Sequence, residues 1–175
     1  MIKIIAAATA LAIGLVGCTS LGQIPTTTLA SGTLRMASGA PAGAVALIAQ
    51  GNDLTINVAA LGLQQGLHGL HLHMVGSCDA PDFTSAGGHL NPHSMQHGTA
   101  NPAGSHLGDL PNLVINDYGA GTVIATLRDR RAAAEAALFD TDGTAIVVHA
   151  QPDNNKTDSS GNSGGRIACA VLKRS

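Results

Sequence analysis

The sequence predicts an all-β domain, a sandwich or barrel of short strands interrupted by one long loop. Three observations support this fold class. Glycine contributes 22 of the 175 residues, which favours a chain rich in turns. Apolar and polar residues alternate with a period of two in short runs that are separated by turn-forming residues. Aromatic residues make up only 2% of the chain, so the core has to be built from aliphatic side chains.

The composition limits the size of the fold and its partners. A chain of 175 residues suits one domain. Charged residues make up 11% of the sequence and the formal net charge is -2. Because there is no basic excess, the composition gives no support to nucleic-acid binding.

Residues 1–17 are predicted to be a signal peptide. Lys3 supplies the positive start, and the apolar stretch 4–16 is too short for a transmembrane helix, which needs about 20 residues. The stretch ends in Leu-Val-Gly-Cys, which resembles a bacterial lipobox. We therefore expect a lipid on Cys18 that anchors the protein to a membrane, and a location in the cell envelope or periplasm. An ordinary cleaved signal peptide is the alternative. Residues 18–28 then form a polar tether, and residues 29–175 form the domain.

The cysteine count is consistent with export. Three cysteines are an odd number, and exported proteins rarely keep a free thiol. With Cys18 lipidated, Cys78 and Cys169 remain, and an oxidising compartment would let them pair. Two buried free thiols are the alternative.

The predicted elements follow in chain order. Strand-like sequence begins at Leu29, and a hairpin turn at Gly51-Asn52-Asp53 joins two strands. A loop from Met74 to about Asn112 is long enough to be functional or disordered, and its histidines favour function. Residues 128–137 are compatible with a short helix or a solvated loop. The predicted strands are 44–50, 54–60, 66–73, 113–116, 121–127, 145–149 and 167–172.

Histidines are concentrated around the long loop, which contains or borders seven of the eight. His71 and His73 lie two apart on an extended segment, so both imidazoles point the same way and can bind one metal. Coincidence in a histidine-rich chain is the alternative. His149 ends an apolar strand, where it is either a rigid ligand or a core histidine. Tetrahedral Zn²⁺ would suit four further loop residues, His89, His97, His106 and Asp109.

These motifs, taken in order, resemble those of the copper/zinc superoxide dismutases over residues 29–172. The segments that carry the resemblance are GLHGLHLH at 66–73, AGGHLNP at 86–92, HG at 97–98, HLGDLPN at 106–112, VVH at 147–149 and GNSGGRIAC at 161–169. The resemblance implies an eight-stranded Greek-key β-barrel with a long metal-binding loop.

The resemblance also implies the ligands of one copper ion and one zinc ion. His89 would bridge both metals, Asp153 would link a copper histidine to a zinc histidine, and Cys78–Cys169 would be the family disulfide. His68 and His93 match no ligand, so we interpret them as structural and as a surface residue. The implied copper ligands are His71, His73, His89 and His149, and the implied zinc ligands are His89, His97, His106 and Asp109.

The activity implied is dismutation of superoxide to O₂ and H₂O₂, with Arg166 docking the anion and His89 transferring a proton. A metal-buffering envelope protein and a zinc hydrolase are the alternatives, and the second lacks an evident general base. Met74 replaces a usual acidic residue, Ala170 replaces a common glycine, and Lys156 is only a rough counterpart of the family's substrate-steering lysine. The sequence is compatible with a homodimer and does not decide the oligomeric state.

Overall fold

The computed structural model describes residues 24–175. The predicted signal peptide and Cys18 lie outside these described residues. Within them the chain forms ten strands, one 3₁₀ turn (Thr84–Ala86) and one helix, α1 (Arg131–Leu138). The strands are β1 (Thr26–Met36), β2 (Pro41–Gln50), β3 (Asp53–Leu61), β4 (Gly66–His68), β5 (Leu70–His73), β6 (Leu113–Ile115), β7 (Ala120–Thr126), β8 (Ala145–His149), β9 (Arg166–Val171) and β10 (Lys173–Arg174).

The strands form an antiparallel barrel with a Greek-key order. One sheet runs β5-β8-β9-β1-β2-β3-β7, with β10 added to β1, and a second sheet pairs β4 with β6. Gly69 alone separates β4 from β5, and a turn in which Gly119 N–H donates to Asn116 C=O joins β6 to β7. The β4–β6 pair therefore connects the two edges of the large sheet. The all-β prediction is confirmed.

The core is aliphatic, as the scarcity of aromatic residues requires. Leu54, Ile56 and Val58 of β3 are fully buried, whereas Thr55 and Asn57 between them are only partly buried. The predicted period of two in this strand is confirmed. Burying each such aliphatic side chain contributes roughly 1.5–3 kcal/mol, so the stacked strands provide a rigid frame for the loops.

The boundaries differ from the predicted ones at three places. Strand β1 begins at Thr26 rather than Leu29, because residues 26–28 pair with the end of β2. The predicted single strand 66–73 is broken at Gly69, whose N–H donates to the carbonyl of Gln151. The undecided segment 128–137 contains a helix because Ala134 and Leu138, one turn apart, are both buried.

A disulfide joins the long loop to the barrel. Cys78 and Cys169 are bonded, with an S–S distance of 1.99 Å across 91 residues of sequence. Cys169 lies in β9, two strands away from the histidines of β5. The predicted pairing is confirmed, and the bond fixes the start of the loop beside the strand that begins with Arg166.

No helix in the part of the chain that the structure describes is long and apolar enough to cross a membrane.

Replacing both Cys78 and Cys169 by Ala should lower the free energy of unfolding of the metal-free protein by about 2–5 kcal/mol, because the unfolded chain loses a long cross-link. Urea unfolding of the variant and of the wild type measures the difference. A reductant should lower the stability of the wild type and leave that of the variant unchanged. Equal stability of the two proteins in the absence of reductant would contradict this prediction.

Candidate metal centre

Two paired strands place three of the predicted copper ligands. His71 and His73 of β5 lie opposite Val147 and Ala145 of β8, and all four of these residues are buried. His149 ends β8, and its backbone N–H donates to the carbonyl of Gly69 at 2.8 Å. The imidazoles are thus carried by hydrogen-bonded backbone on both strands. His89 joins them from the loop through an isolated bridge to His73.

Four buried imidazole nitrogens converge in this group. The ligand atoms of its members lie within 4.8 Å of one another. Each of the four residues also has one buried ring nitrogen without a hydrogen-bond partner. Because an unpaired buried polar atom is costly, these nitrogens suit a metal ion. They are His71 Nδ1, His73 Nε2, His89 Nε2 and His149 Nε2.

The opposite nitrogen of every ring is held by an acceptor. Since each of these nitrogens faces a carbonyl or carboxylate oxygen, it carries the proton in the metal-free site, and the lone pair belongs to the unpaired nitrogen. The pairs are His71 Nε2 to Asp153 Oδ2 at 2.8 Å, His73 Nδ1 to Gly87 O at 2.9 Å, His89 Nδ1 to Asp109 Oδ1 at 3.0 Å and His149 Nδ1 to Gly164 O at 3.2 Å.

A second group surrounds Asp109. Oδ1 of this residue lies 3.0 Å from Nδ1 of His89, 3.0 Å from Nδ1 of His97 and 3.2 Å from Nδ1 of His106. Nδ1 of His106 is 3.3 Å from Nδ1 of His89. A tetrahedral ion with bonds of about 2.0–2.1 Å has ligand atoms about 3.3 Å apart. The residues therefore fit Zn²⁺.

His71 also lies close to this second group. By distance alone it groups with His89, His97 and Asp109, because its ring lies against that of His89 with centroids 3.9 Å apart. However, Nε2 of His71 binds Asp153, so its free nitrogen belongs to the first group. The contacts of His106 Nδ1 make His106 the better fourth ligand for zinc.

Asp153 connects the two groups, as the sequence predicts. Its Oδ2 accepts from Nε2 of His71 at 2.8 Å, and its Oδ1 accepts from Nε2 of His97 at 3.0 Å. Sequence reasoning missed Asn112, which donates to the Asp153 carbonyl and accepts from the Asp153 N–H, both at 2.8 Å. Its position three residues after Asp109, at the end of the predicted loop, was the only available signal.

Burial keeps the first group of imidazoles neutral. Desolvation lowers the pKa of His73 to about 2, that of His149 to about 3 and that of His89 to about 4, and it also lowers the pKa of His71. Neutral imidazole is the form that binds metals, so protons do not compete for these nitrogens near pH 7.

Two carboxylates have the opposite effect on His97. Burial by itself lowers the pKa of His97, but hydrogen bonds to Asp109 and Asp153 outweigh it and raise the pKa to about 9. Although burial opposes it, hydrogen bonds from His89 and His97 hold the pKa of Asp109 well below its usual range. Those from His71 and His97 do the same to the pKa of Asp153. Both carboxylates therefore stay ionised.

A cavity of about 270 Å³ opens onto the first group. Arg166 lines it together with His73, His89 and His149. The guanidinium is fixed by two 2.6 Å hydrogen bonds, from Nη1 to the carbonyl of Phe83 and from Nη2 to that of Gly87. Its remaining N–H groups are left to bind an anion in the cavity.

The two histidines that match no ligand occupy structural and surface positions. His68 is buried, with its ring nitrogens 2.7 Å from the carbonyl of His149 and 2.9 Å from that of Gln64. His93 is exposed and lies 2.7 Å from Asp129. Both interpretations are confirmed.

Residues 41–172 match the family model of copper/zinc superoxide dismutase. This chain belongs to the copper/zinc superoxide dismutase family. Family members named superoxide dismutase [Cu-Zn] are oxidoreductases, and the family's metals are copper and zinc.

Relatives from several bacteria support the assignment to this family. Superoxide dismutase [Cu-Zn] of Caulobacter vibrioides is 37% identical over 150 residues, which cover 82% of this chain and 85% of that protein. Superoxide dismutase [Cu-Zn] 1 of Aquifex aeolicus is 45% identical, with 59% of this chain and 62% of that protein covered. The crystal structure of a superoxide dismutase-like protein from Bacillus subtilis aligns with a TM-score of 0.78 at 36% identity, over 84% of this chain and all of that one.

The metal-free protein should lose stability as the pH falls from about 6.5 towards 4. The unfolded chain binds protons near pH 6.5, whereas folded His73, His89 and His149 bind them only near pH 2 to 4. Between these values, each such histidine lowers the free energy of unfolding by roughly 1.4 kcal/mol for every pH unit of acidification.

The raised pKa of His97 has the opposite effect on the pH dependence of stability. The contribution of His97 to the free energy of unfolding is complete below about pH 6.5 and is lost as the pH rises towards 9. Urea unfolding of the metal-free protein across this range should show a maximum near pH 6.5. A free energy of unfolding that rises on acidification below that point would contradict the burial of neutral imidazoles.

Proposed function

We propose that this protein dismutates superoxide to O₂ and H₂O₂ in the cell envelope. His71, His73, His89 and His149 would hold copper, and His89, His97, His106 and Asp109 would hold zinc. One observation carries the proposal: four unpaired imidazole nitrogens converge beside a cavity that is lined by three of these histidines and by a fixed guanidinium.

The two ligand sets suit different tasks. The Asp109 set offers four protein ligands and leaves no position for a water molecule, which is typical of a structural zinc site. This argues against the zinc hydrolase. Bound copper would supply one-electron chemistry by changing its oxidation state, which zinc does not do.

Arg166 would bind the substrate in the cavity. Its guanidinium is positively charged, its position is set by Phe83 and Gly87, and superoxide is a small anion to which its free N–H groups can donate hydrogen bonds. When its Nε2 is not held by copper, His89 would carry a proton there, on the cavity side of its ring, while Nδ1 stays with the Asp109 set. From there it would donate that proton to the reduced substrate.

The positive charge of Arg166 also distinguishes the proposed dismutase from a protein that only buffers metal. A site that only stores metal cations gains nothing from a permanent positive charge in the same cavity, since the two repel each other. A site for an anionic substrate requires that charge. The four-histidine set together with Arg166 therefore favours turnover over storage.

Arg166→Ala should slow superoxide dismutation by roughly tenfold or more while copper and zinc contents stay normal, because a docking charge is lost but no ligand is removed. Activity and metal content of the purified, metal-loaded domain are the measurements.

Arg35→Ala is the matched control, because Arg35 also donates to a backbone carbonyl, that of Gly39, but is exposed on β1, outside the cavity. It should keep full activity. An unchanged rate for Arg166→Ala, or loss of copper from it, would argue against the docking role. A wild-type protein that binds both metals without dismutating superoxide would support the alternative of a metal-buffering protein.

We also propose that a lipid on Cys18 anchors the protein. Ile24 is the first described residue and packs against the β2–β3 turn at Gly51. Ile24 lies six positions after Cys18, a reach of about 20 Å at most. The domain would therefore stay close to the membrane, with the β2–β3 turn at the anchored end.

Cys18→Ala should move the protein from the membrane to the soluble fraction, or leave it unprocessed, and keep the domain folded, because stable anchoring needs more than one acyl chain. Cell fractionation followed by an activity assay tests both parts. Membrane association that is unchanged in the variant, or a wild type found in the soluble fraction, would refute the anchor and leave the dismutase proposal intact.

A further inference from the structure

We propose that Met74 is an entry ligand through which Cu(I) reaches the four-histidine site. The inference rests on the proposed copper site and adds a residue and an oxidation state for the metal that enters. Its basis is the position of a soft, exposed thioether at the rim of the cavity that contains the unpaired nitrogen of His73.

Met74 follows His73 directly and packs on the loop that forms the cavity wall. Its N–H donates to the carbonyl of Gly88 at 3.0 Å. A Cβ atom placed on Gly88 would lie 3.9 Å from its sulfur, and one placed on Gly87 would lie 3.1 Å from its Cγ. Gly88 lines the cavity and Gly87 accepts from Nδ1 of His73. The thioether is therefore at the edge of the site while 48% of Met74 remains exposed.

The cavity lacks an anionic ligand that would attract an incoming cation. No Asp or Glu is among the described residues that line it. Arg166 contributes the one permanent charge among those residues. Since Coulomb energy scales with charge, Arg166 repels a divalent ion twice as strongly as a monovalent one.

Thioether sulfur is a soft ligand that selects Cu(I), whereas a carboxylate suits harder ions. Methionine at position 74 therefore matches the monovalent ion that Arg166 repels less. His73, the sequence neighbour of Met74, is fully buried and has a free ligand atom at Nε2. We therefore expect copper to contact Met74 first and His73 next.

Copper uptake by the zinc-loaded, copper-free protein tests the proposal. Copper is supplied either as Cu(I) under anaerobic conditions or as Cu(II), and bound copper is measured over time after unbound copper has been removed. Met74→Leu should slow Cu(I) uptake by roughly tenfold or more and leave Cu(II) uptake unchanged. The final copper content should equal that of the wild type.

Met95→Leu is the matched control, because Met95 is 40% exposed on the same loop but, unlike Met74, has no atom within 4 Å of a Cβ placed on Gly88. It should take up both ions at the wild-type rate. Met74→Gln, which keeps the length without sulfur, should behave like Met74→Leu and provides a second variant if that one folds poorly.

Three outcomes would overturn the inference: normal Cu(I) uptake in both Met74 variants, equal slowing of Cu(I) and Cu(II), or equal slowing in Met95→Leu. Equal slowing of both ions would indicate that Met74 only supports Gly87 by packing. A wild type that binds no copper in either state would instead refute the proposed copper site.

Discussion

The carboxylate of Asp153 accepts hydrogen bonds from two imidazoles that belong to different ligand groups, Nε2 of His71 and Nε2 of His97. This pair of bonds determines which nitrogen of each ring faces its metal group. The carboxylate is in turn held through its backbone by the side chain of Asn112. Displacing Asp153 would therefore release both rings at once, so the two groups of ligands behave as one unit.

Glycines let the backbone come close enough for this arrangement. Gly161 adopts φ +62°, and a Cβ there would overlap Oδ1 of Asp153 and lie 2.8 Å from Nε2 of His97. Gly87 adopts φ 72° and ψ -155°, a region open to few other residues. Its carbonyl accepts from both His73 and Arg166. Glycine is needed at these two positions, where loop backbone contacts the site.

Strand periodicity and ordered motifs predicted much of the fold and of the candidate site. The strand at 145–149 has the predicted bounds, and the alternation in β3 matches its burial. The break at Gly69 and the role of Asn112 depend on contacts with residues about 80 and 40 positions away in sequence. Local patterns carry no information on such contacts, so they had to be read from the tertiary structure.

The pairing of β5 with β8 joins residues 71–73 to residues 145–147. A chain that has not yet made this long-range pairing lacks the fourth member of the first group, since His149 is still remote. Loop closure over such distances is slow and comes late in the folding of β proteins. The complete four-histidine group thus exists only in chains that have already paired β5 with β8, so the first site is a late product of folding.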